Sequence, residues 1–237
     1  MNVNLAPKPI NFKFGEYINK GFEFLKKDFG NIFIAFLVCI VMSIIPFCGL
    51  LAMGNMYKYL QKINRNQAAR PGDIFDFKDF MPFFILQLIV IGGIFIIYIP
   101  LVIVLALTGA LSQDGNNAEA GPLAMIFIIP YVFFIIIAIY YFALKAFYIV
   151  PLISLKGIKD LKTAWNISRV MTKGNLIAIL LFSFVVSFLS QIGIIACGIG
   201  IFLTIPFVYT ANYFAYEDAI QQIEYDEITE IGSKNEF

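Results

Sequence analysis

The sequence predicts an all-α integral membrane protein with six transmembrane helices, two helical hairpins and amphipathic interfacial helices. Three observations point there: the composition, the length of the apolar runs and the partition of charge. Of 237 residues, 60% are hydrophobic and 14% charged, too apolar to clothe a soluble domain of this size. Apolar runs cover 30–54, 83–111, 122–144 and 176–216, whereas about 20 residues cross a bilayer as helix. They are continuous rather than alternating, which argues against the strands of a membrane barrel. The net charge of +1 conceals a partition, because seven of the sixteen acids follow Tyr216 while the basic residues gather in three earlier segments. A net charge this small gives no ground for nucleic-acid binding.

Taken in order, the opening MNVNLAPKPINFKFGEY has no apolar core followed by a small-residue cleavage site, so the first apolar segment is expected in the mature protein. Residues 1–29 read as a cytoplasmic amphipathic segment. Phe14, Ile18, Phe22, Leu25 and Phe29 share one helical face, with Lys13, Glu16, Lys20, Glu23 and Lys27 opposite. Phe22 and Lys27 are candidate membrane-interface anchors. The next run meets Pro46-Phe47-Cys48-Gly49 and then fades into GNMYKYLQK. Basic residues flank it on both sides, so it should cross an even number of times, making 30–64 a hairpin with its tip at Pro46–Gly49. The legs are short of a bilayer core, so Lys58 and Lys62 would have to snorkel, the bilayer thin, or the hairpin be re-entrant.

Two central spans follow, 83–111 and 122–144, joined by SQDGNNAEAG at 112–121. That loop carries Asp114 and Glu119 and no basic residue, so it belongs outside. A second amphipathic helix is expected at 157–174. Ile158, Leu161, Trp165 and Ser168 share one face and Lys159, Lys162, Asn166, Arg169 and Lys173 the other, with Trp165, the only tryptophan, as its interface anchor. The run 176–216 is too long for one span. Gly193, Gly198 and Gly200 suit a turn, which gives a second hairpin, followed by an acidic tail at 217–237. A weak repeat supports two hairpins: DFGNIFIAFL from Asp28 matches TKGNLIAILL from Thr172, Cys48-Gly49 matches Cys197-Gly198, and GNMYKYLQKI from Gly54 matches ANYFAYEDAI from Ala211. Both ends and the three basic segments then lie on the cytoplasmic side.

Little chemistry is available. Histidine is absent, which removes the commonest general base and metal ligand. Cys39, Cys48 and Cys197 lack metal or disulfide spacing and read as buried small hydrophobes. No phosphate loop, nucleophile elbow or zincin motif occurs, and the ionisable residues fall outside the spans apart from Lys58 and Lys62 at a margin. No catalytic residue, cofactor or metal ligand is expected. Ser183, Ser187 and Ser190, with Gln191 beside them and Asn212 on the next helix, are candidates for a polar groove. Their structural counterpart is a small-residue seam between helices.

The order of TAWNISRVMTKGN, a greasy helix, CGIG and the aromatic exit IPFVYTANYFAYEDAI resembles a widespread group of bacterial membrane proteins. These include stand-alone proteins of unknown function and the membrane domain attached to some glycerophosphodiester phosphodiesterases. FYIVPLISLKGIKDLKTAW fits the same pattern, and PGDIFDFKDF supports it more weakly. The resemblance implies a multi-pass protein of the bacterial inner membrane and carries no catalytic residue. The expected function is that of a non-enzymatic accessory or scaffold subunit of a membrane assembly or of lipid organisation. The alternative is an uncoupled transporter or lipid-translocating protein with a groove between the hairpins. Membrane lipids are the expected partners, with another membrane protein or the chain itself as further candidates, and nucleic acid is not one.

Overall fold

A computed structural model describes residues 6–113, 120–195 and 200–224. Its regular structure is helical, with no strand among the described residues. The elements are α1 (Phe14–Lys27), α2 (Phe29–Ile44), α3 (Gly49–Asn64), a 3-10 turn (Pro71–Phe75), α4 (Phe80–Gln113), α5 (Ala120–Lys145), α6 (Ile149–Lys156), α7 (Leu161–Met171), α8 (Leu176–Ile195) and α9 (Gly200–Ile223). They cluster into two compact units, one holding residues up to Phe83 and from Leu144 on, the other Phe84–Ala143.

In the first unit α3 is the central helix. Leu51, Ala52, Gly54, Asn55, Met56, Tyr57, Tyr59 and Leu60 are buried, and α2, α6, α9 and the 3-10 turn all pack on it. A helix with so little free surface must satisfy its polar side chains inside the protein. Lys58 reaches Asp79 at 2.5 Å and Lys62 reaches Asp73 at 2.7 Å, both carboxylates belonging to the segment that follows. Both lysines are thus met by carboxylates of their own unit, because the chain from Pro71 to Asp79 folds back along α3. Asn55 fixes that return by donating through Nδ2 to the carbonyls of Ile74 (2.8 Å) and Asp76 (2.7 Å).

The turn between α2 and α3 falls at 45–48, where Pro46 cannot continue a helix. Its Phe47 has φ 63°, a left-handed conformation that sharpens the reversal. The two legs pack on each other. Cys39 and Cys48 are buried free thiols, and Cys197 lies outside the described residues. In the second hairpin α8 packs along α9, and Gly193 meets the backbone of Gly200 so closely that no Cβ fits between them. The connection at 196–199, with Gly198, lies outside the described residues.

Two corners are nearly square. α1 meets α2 at 99°, and α7 meets α8 at 98°. The amphipathic-helix, bend, apolar-helix order therefore occurs twice, with Gly30-Asn31 and Gly174-Asn175 at the bends, as in the sequence repeat. Asn175 donates through Nδ2 to the Ile10 carbonyl, and the Ile10 N–H donates to the Met171 carbonyl at 3.2 Å, so one backbone residue spans the second corner. Gly174 supplies the positive φ, 82°, that the bend requires. At the first corner Asn31 donates to Asp28 at 2.7 Å and its carbonyl accepts from Tyr59 at 3.3 Å.

Each amphipathic helix buries a face rotated from the one its apolar residues suggest. In α1 the buried residues are Tyr17, Gly21 and Leu25, while Phe22 is 60% exposed. In α7 they are Ala164, Ile167, Ser168 and Met171, while Trp165 is only half-buried. Close approach decides both cases. Gly21 lies against the Ala211 backbone of α9, and Ser168 accepts the Tyr148 N–H at 3.2 Å while donating to the Lys145 carbonyl at 2.6 Å.

The second unit consists of the main lengths of α4 and α5, apolar on every face, as a helix surrounded by lipid must be. The stretch Phe80–Val104 has mean hydropathy 2.6, and Ile128–Lys156, which runs on through α6, has 2.2. These two are long and apolar enough to cross a membrane, and the described residues hold up to four such spans if each bent pair counts as one. That is fewer than the six expected. α3 has only sixteen residues, and α9 carries Asn212, Glu217 and Asp218 among its tyrosines.

Candidate functional site

The densest polar cluster surrounds the second half of α9. Asp218 accepts from Lys13 Nζ (3.0 Å), Tyr17 Oη (2.6 Å) and Gln222 Nε2 (2.6 Å). The Lys13 ammonium is held above its usual pKa by the hydrogen bond to Asp218. Burial, and then the Asp218 hydrogen bond, push the Tyr17 phenol well above its usual value. Both groups therefore keep their protons across the physiological range.

Gln222 adds a two-way amide clamp on Asn11, accepting its N–H at 2.8 Å and donating to its carbonyl at 3.1 Å. Nearer the end of α9, the Ala6 N–H donates to the Ile223 carbonyl at 2.9 Å. Residues 6–13 thus form an extended strap that ties the end of α9 to the corner between α7 and α8. Asn64 of α3 bonds Tyr213 and Glu217, and Lys156 of α6 pairs with Glu224, so α9 gathers four parts of the unit.

Beneath this polar layer lies an aromatic one. Tyr57, Tyr148 and Tyr216 pack edge to face, with Tyr57 and Tyr216 centroids 5.0 Å apart and Tyr148 and Tyr216 6.1 Å apart. Tyr209 stands against Tyr57 at 5.9 Å and against Phe36 at the same distance. Such rings bring large apolar area while keeping a hydroxyl for a polar neighbour. The Tyr148 hydroxyl and Asn55 Oδ1 are buried without a protein partner.

The sequence candidates for a polar groove are distributed differently. Ser190 is buried, and its hydroxyl donates to the Ser187 carbonyl at 2.7 Å, while Thr204 of α9 donates to the Ser190 carbonyl. With Gly193 against Gly200, this forms a small-residue seam between α8 and α9. Ser183 is half-buried, and Ser187 and Gln191 are exposed on α8. Asn212 is half-buried beside Tyr57, eight residues or about 12 Å along α9 from Thr204. Ser190 thus joins the seam, while Asn212 belongs to the aromatic layer. Of the interface candidates, Phe22 and Lys27 are exposed on α1 and Trp165 is half-buried on α7.

Sequence reasoning missed Asp218, Tyr17 and Gln222. Their signal was the i, i+4 spacing of Asp218 and Gln222 on one face of α9, but their partners lie about two hundred residues away.

In the second unit, Pro100, Leu101, Val104, Ile128 and Tyr131 line an apolar crevice of about 310 Å³. Pro100 has no N–H for the carbonyl of Ile96, and, one residue on, the Tyr131 hydroxyl donates to the Ile97 carbonyl at 3.3 Å. Among the described residues no group of three His, Cys, Asp or Glu side chains is placed to hold a metal ion. No family model, curated protein or solved structure matches the chain.

Proposed function

We propose that this chain is a non-enzymatic protein of the bacterial inner membrane, working as an accessory or scaffold subunit of a membrane assembly or of lipid organisation. Six membrane-crossing helices, with residues 1–29 and 217–237 on the cytoplasmic side, complete the proposal. The resemblance of Phe147–Ile220 to bacterial multi-pass proteins, including the membrane domain of some glycerophosphodiester phosphodiesterases, is the ground for the bacterial setting.

One observation carries the scaffold reading: two square corners set α1 and α7 across the direction of α2 and α8. Away from the corners, α9 meets α1 backbone to backbone at Gly21 and Ala211 and meets α8 at Gly193 and Gly200, which leaves no room between those helices. Where α2 and α8 stand in the bilayer, α1 and α7 lie along its surface, a rigid platform suited to holding lipids or a partner.

Purification from native membranes in mild detergent, with quantification of co-purifying protein and lipid, tests this. A stoichiometric membrane-protein partner, or a retained lipid class, is the expected result. A chain that emerges alone and delipidated at full stability sinks the scaffold role. The transport reading draws on exposed Ser187 and Gln191, polar side chains on an apolar helix. It requires that proteoliposomes carrying the chain move lipid or solute faster than protein-free vesicles.

A further inference from the structure

We propose that α7 recruits anionic phospholipid headgroups through Lys162, Arg169 and Lys173, beside the exposed apolar stripe of α8. Lys162 and Arg169 are seven residues apart and so point within about 20° of one another on a helix, and Lys173 follows just past the helix end. All three are exposed, opposite the face formed by Ala164, Ile167, Ser168 and Met171 that packs on the protein. Among the described residues none of them joins an ion pair.

The first corner differs. On α1, Glu16 pairs with Lys20 at 2.6 Å and lies 4.0 Å from Lys13, and Asp28 sits at the bend itself. At the second corner the one nearby acid is Asp160, which caps the start of α7 through Thr163 and interacts with Lys162. From Leu161 to Tyr216 the chain contains no acid, so Arg169 and Lys173 at the corner itself have none on their own elements.

Continuity with the apolar surface identifies the partner as lipid rather than a soluble polyanion. α8 exposes Ile177, Leu181, Phe184 and Phe188 in helical register, Ile177 to 75%. This stripe begins four residues after Lys173. An acyl chain lying along it brings its headgroup to the Arg169–Lys173 end, where the 98° corner turns the cationic helix across the direction of α8. A cation opposite a phosphate at that level is attracted within a Debye length.

The proposal rests on the reading of α8 as a membrane helix and names the lipid class that the scaffold would organise. Trp165 of α7 is the only tryptophan, so it reports locally. The full chain is reconstituted in mixed bilayers in which either the anionic phosphatidylglycerol or the zwitterionic phosphatidylcholine carries brominated acyl chains, and Trp165 quenching is compared.

The expected result at low ionic strength is a preference of roughly fivefold for the brominated anionic lipid. It should shrink in high salt and fall to about one in the K162Q/R169Q/K173Q variant, with circular dichroism confirming retained helicity. Equal quenching by the two lipids overturns the lipid preference alone. Quenching by neither overturns the membrane placement of this corner as well. A preference that survives the triple substitution, or one that emerges only after removal of residues 225–237, also overturns it, the latter by making the acidic tail the occupant.

Discussion

Two glycines of α1 meet opposite surroundings. A Cβ on Gly21 would sit 2.7 Å from the Cα and N of Ala211, backbone atoms that cannot swing aside, whereas nothing lies within 4 Å of Gly15. Gly21→Ala should therefore destabilise the chain by about 1–3 kcal/mol through overpacking. Gly15→Ala should stabilise it by up to about 1 kcal/mol, because alanine loses less backbone entropy in a helix. Thermal unfolding in detergent compares the two, and a Gly21→Ala protein as stable as the parent would disprove the backbone contact. Asn55 is a second residue whose role lies in its partners. Replacing it with alanine strips the Ile74 and Asp76 carbonyls of their donor, an expected loss of about 2–4 kcal/mol. Faster hydrogen exchange at residues 71–79 would locate that loss. Neither role could be read from sequence, where Gly21 is one glycine among seventeen and Asn55 a polar interruption in an apolar run.

At the scale of elements, the 3-10 turn depends on charge. Lys62 hydrogen-bonds the Asp73 carboxylate and holds its pKa below the usual 3.8. Asp73 therefore contributes stability that is fully present above the ordinary carboxylate range and is lost as pH falls through its lowered value. Protection of residues 70–79 against hydrogen exchange should weaken as pH drops below about 4, and Asp73→Asn should remove that pH dependence while weakening the turn at neutral pH. An unchanged acid response in the variant would assign the effect elsewhere. α1 and α7 show why amphipathic faces read from sequence came out rotated. The hydrophobic pattern ranks Phe22 and Trp165 above Tyr17, Gly21 and Ala164, yet burial went to the smaller or hydroxyl-bearing side chains. A helix docked on another helix selects for close approach and hydrogen bonding. One facing lipid selects for apolar area alone.

At the scale of the whole molecule, topology decides which surfaces meet which compartment. The proposed arrangement puts Asn66 on the cytoplasmic side and Asn116, which lies outside the described residues, on the other. Cysteines placed at these positions should be labelled by an impermeant reagent in intact cells only at 116. Labelling of 66 from outside would overturn the arrangement. A compartment reporter fused after Arg70 should likewise be active in the cytoplasm if α2 and α3 return the chain to its starting side. The sixteen residues of each leg span about 24 Å, less than the ~30 Å hydrocarbon core. Thicker bilayers should therefore lower the stability of this hairpin before that of α4 and α5. The paired Lys58 and Lys62 lessen the problem, since their charges are already met by Asp79 and Asp73.

The helical class, the turn near Pro46, the long apolar stretches of α4 and α5 and the two amphipathic segments preceding apolar helices were all legible along the chain. Each of these follows from local composition and periodicity, which a short window of residues already contains. Three-dimensional packing was needed to show that Asp73 and Asp79 return to α3, that residues 6–13 strap α9 to the second corner, and that Ser190 and Asn212 belong to different layers. Those outcomes join residues as much as 211 apart. Their selection rests on backbone proximity and on the need of each buried polar group for a partner, and neither leaves a periodic trace along the chain.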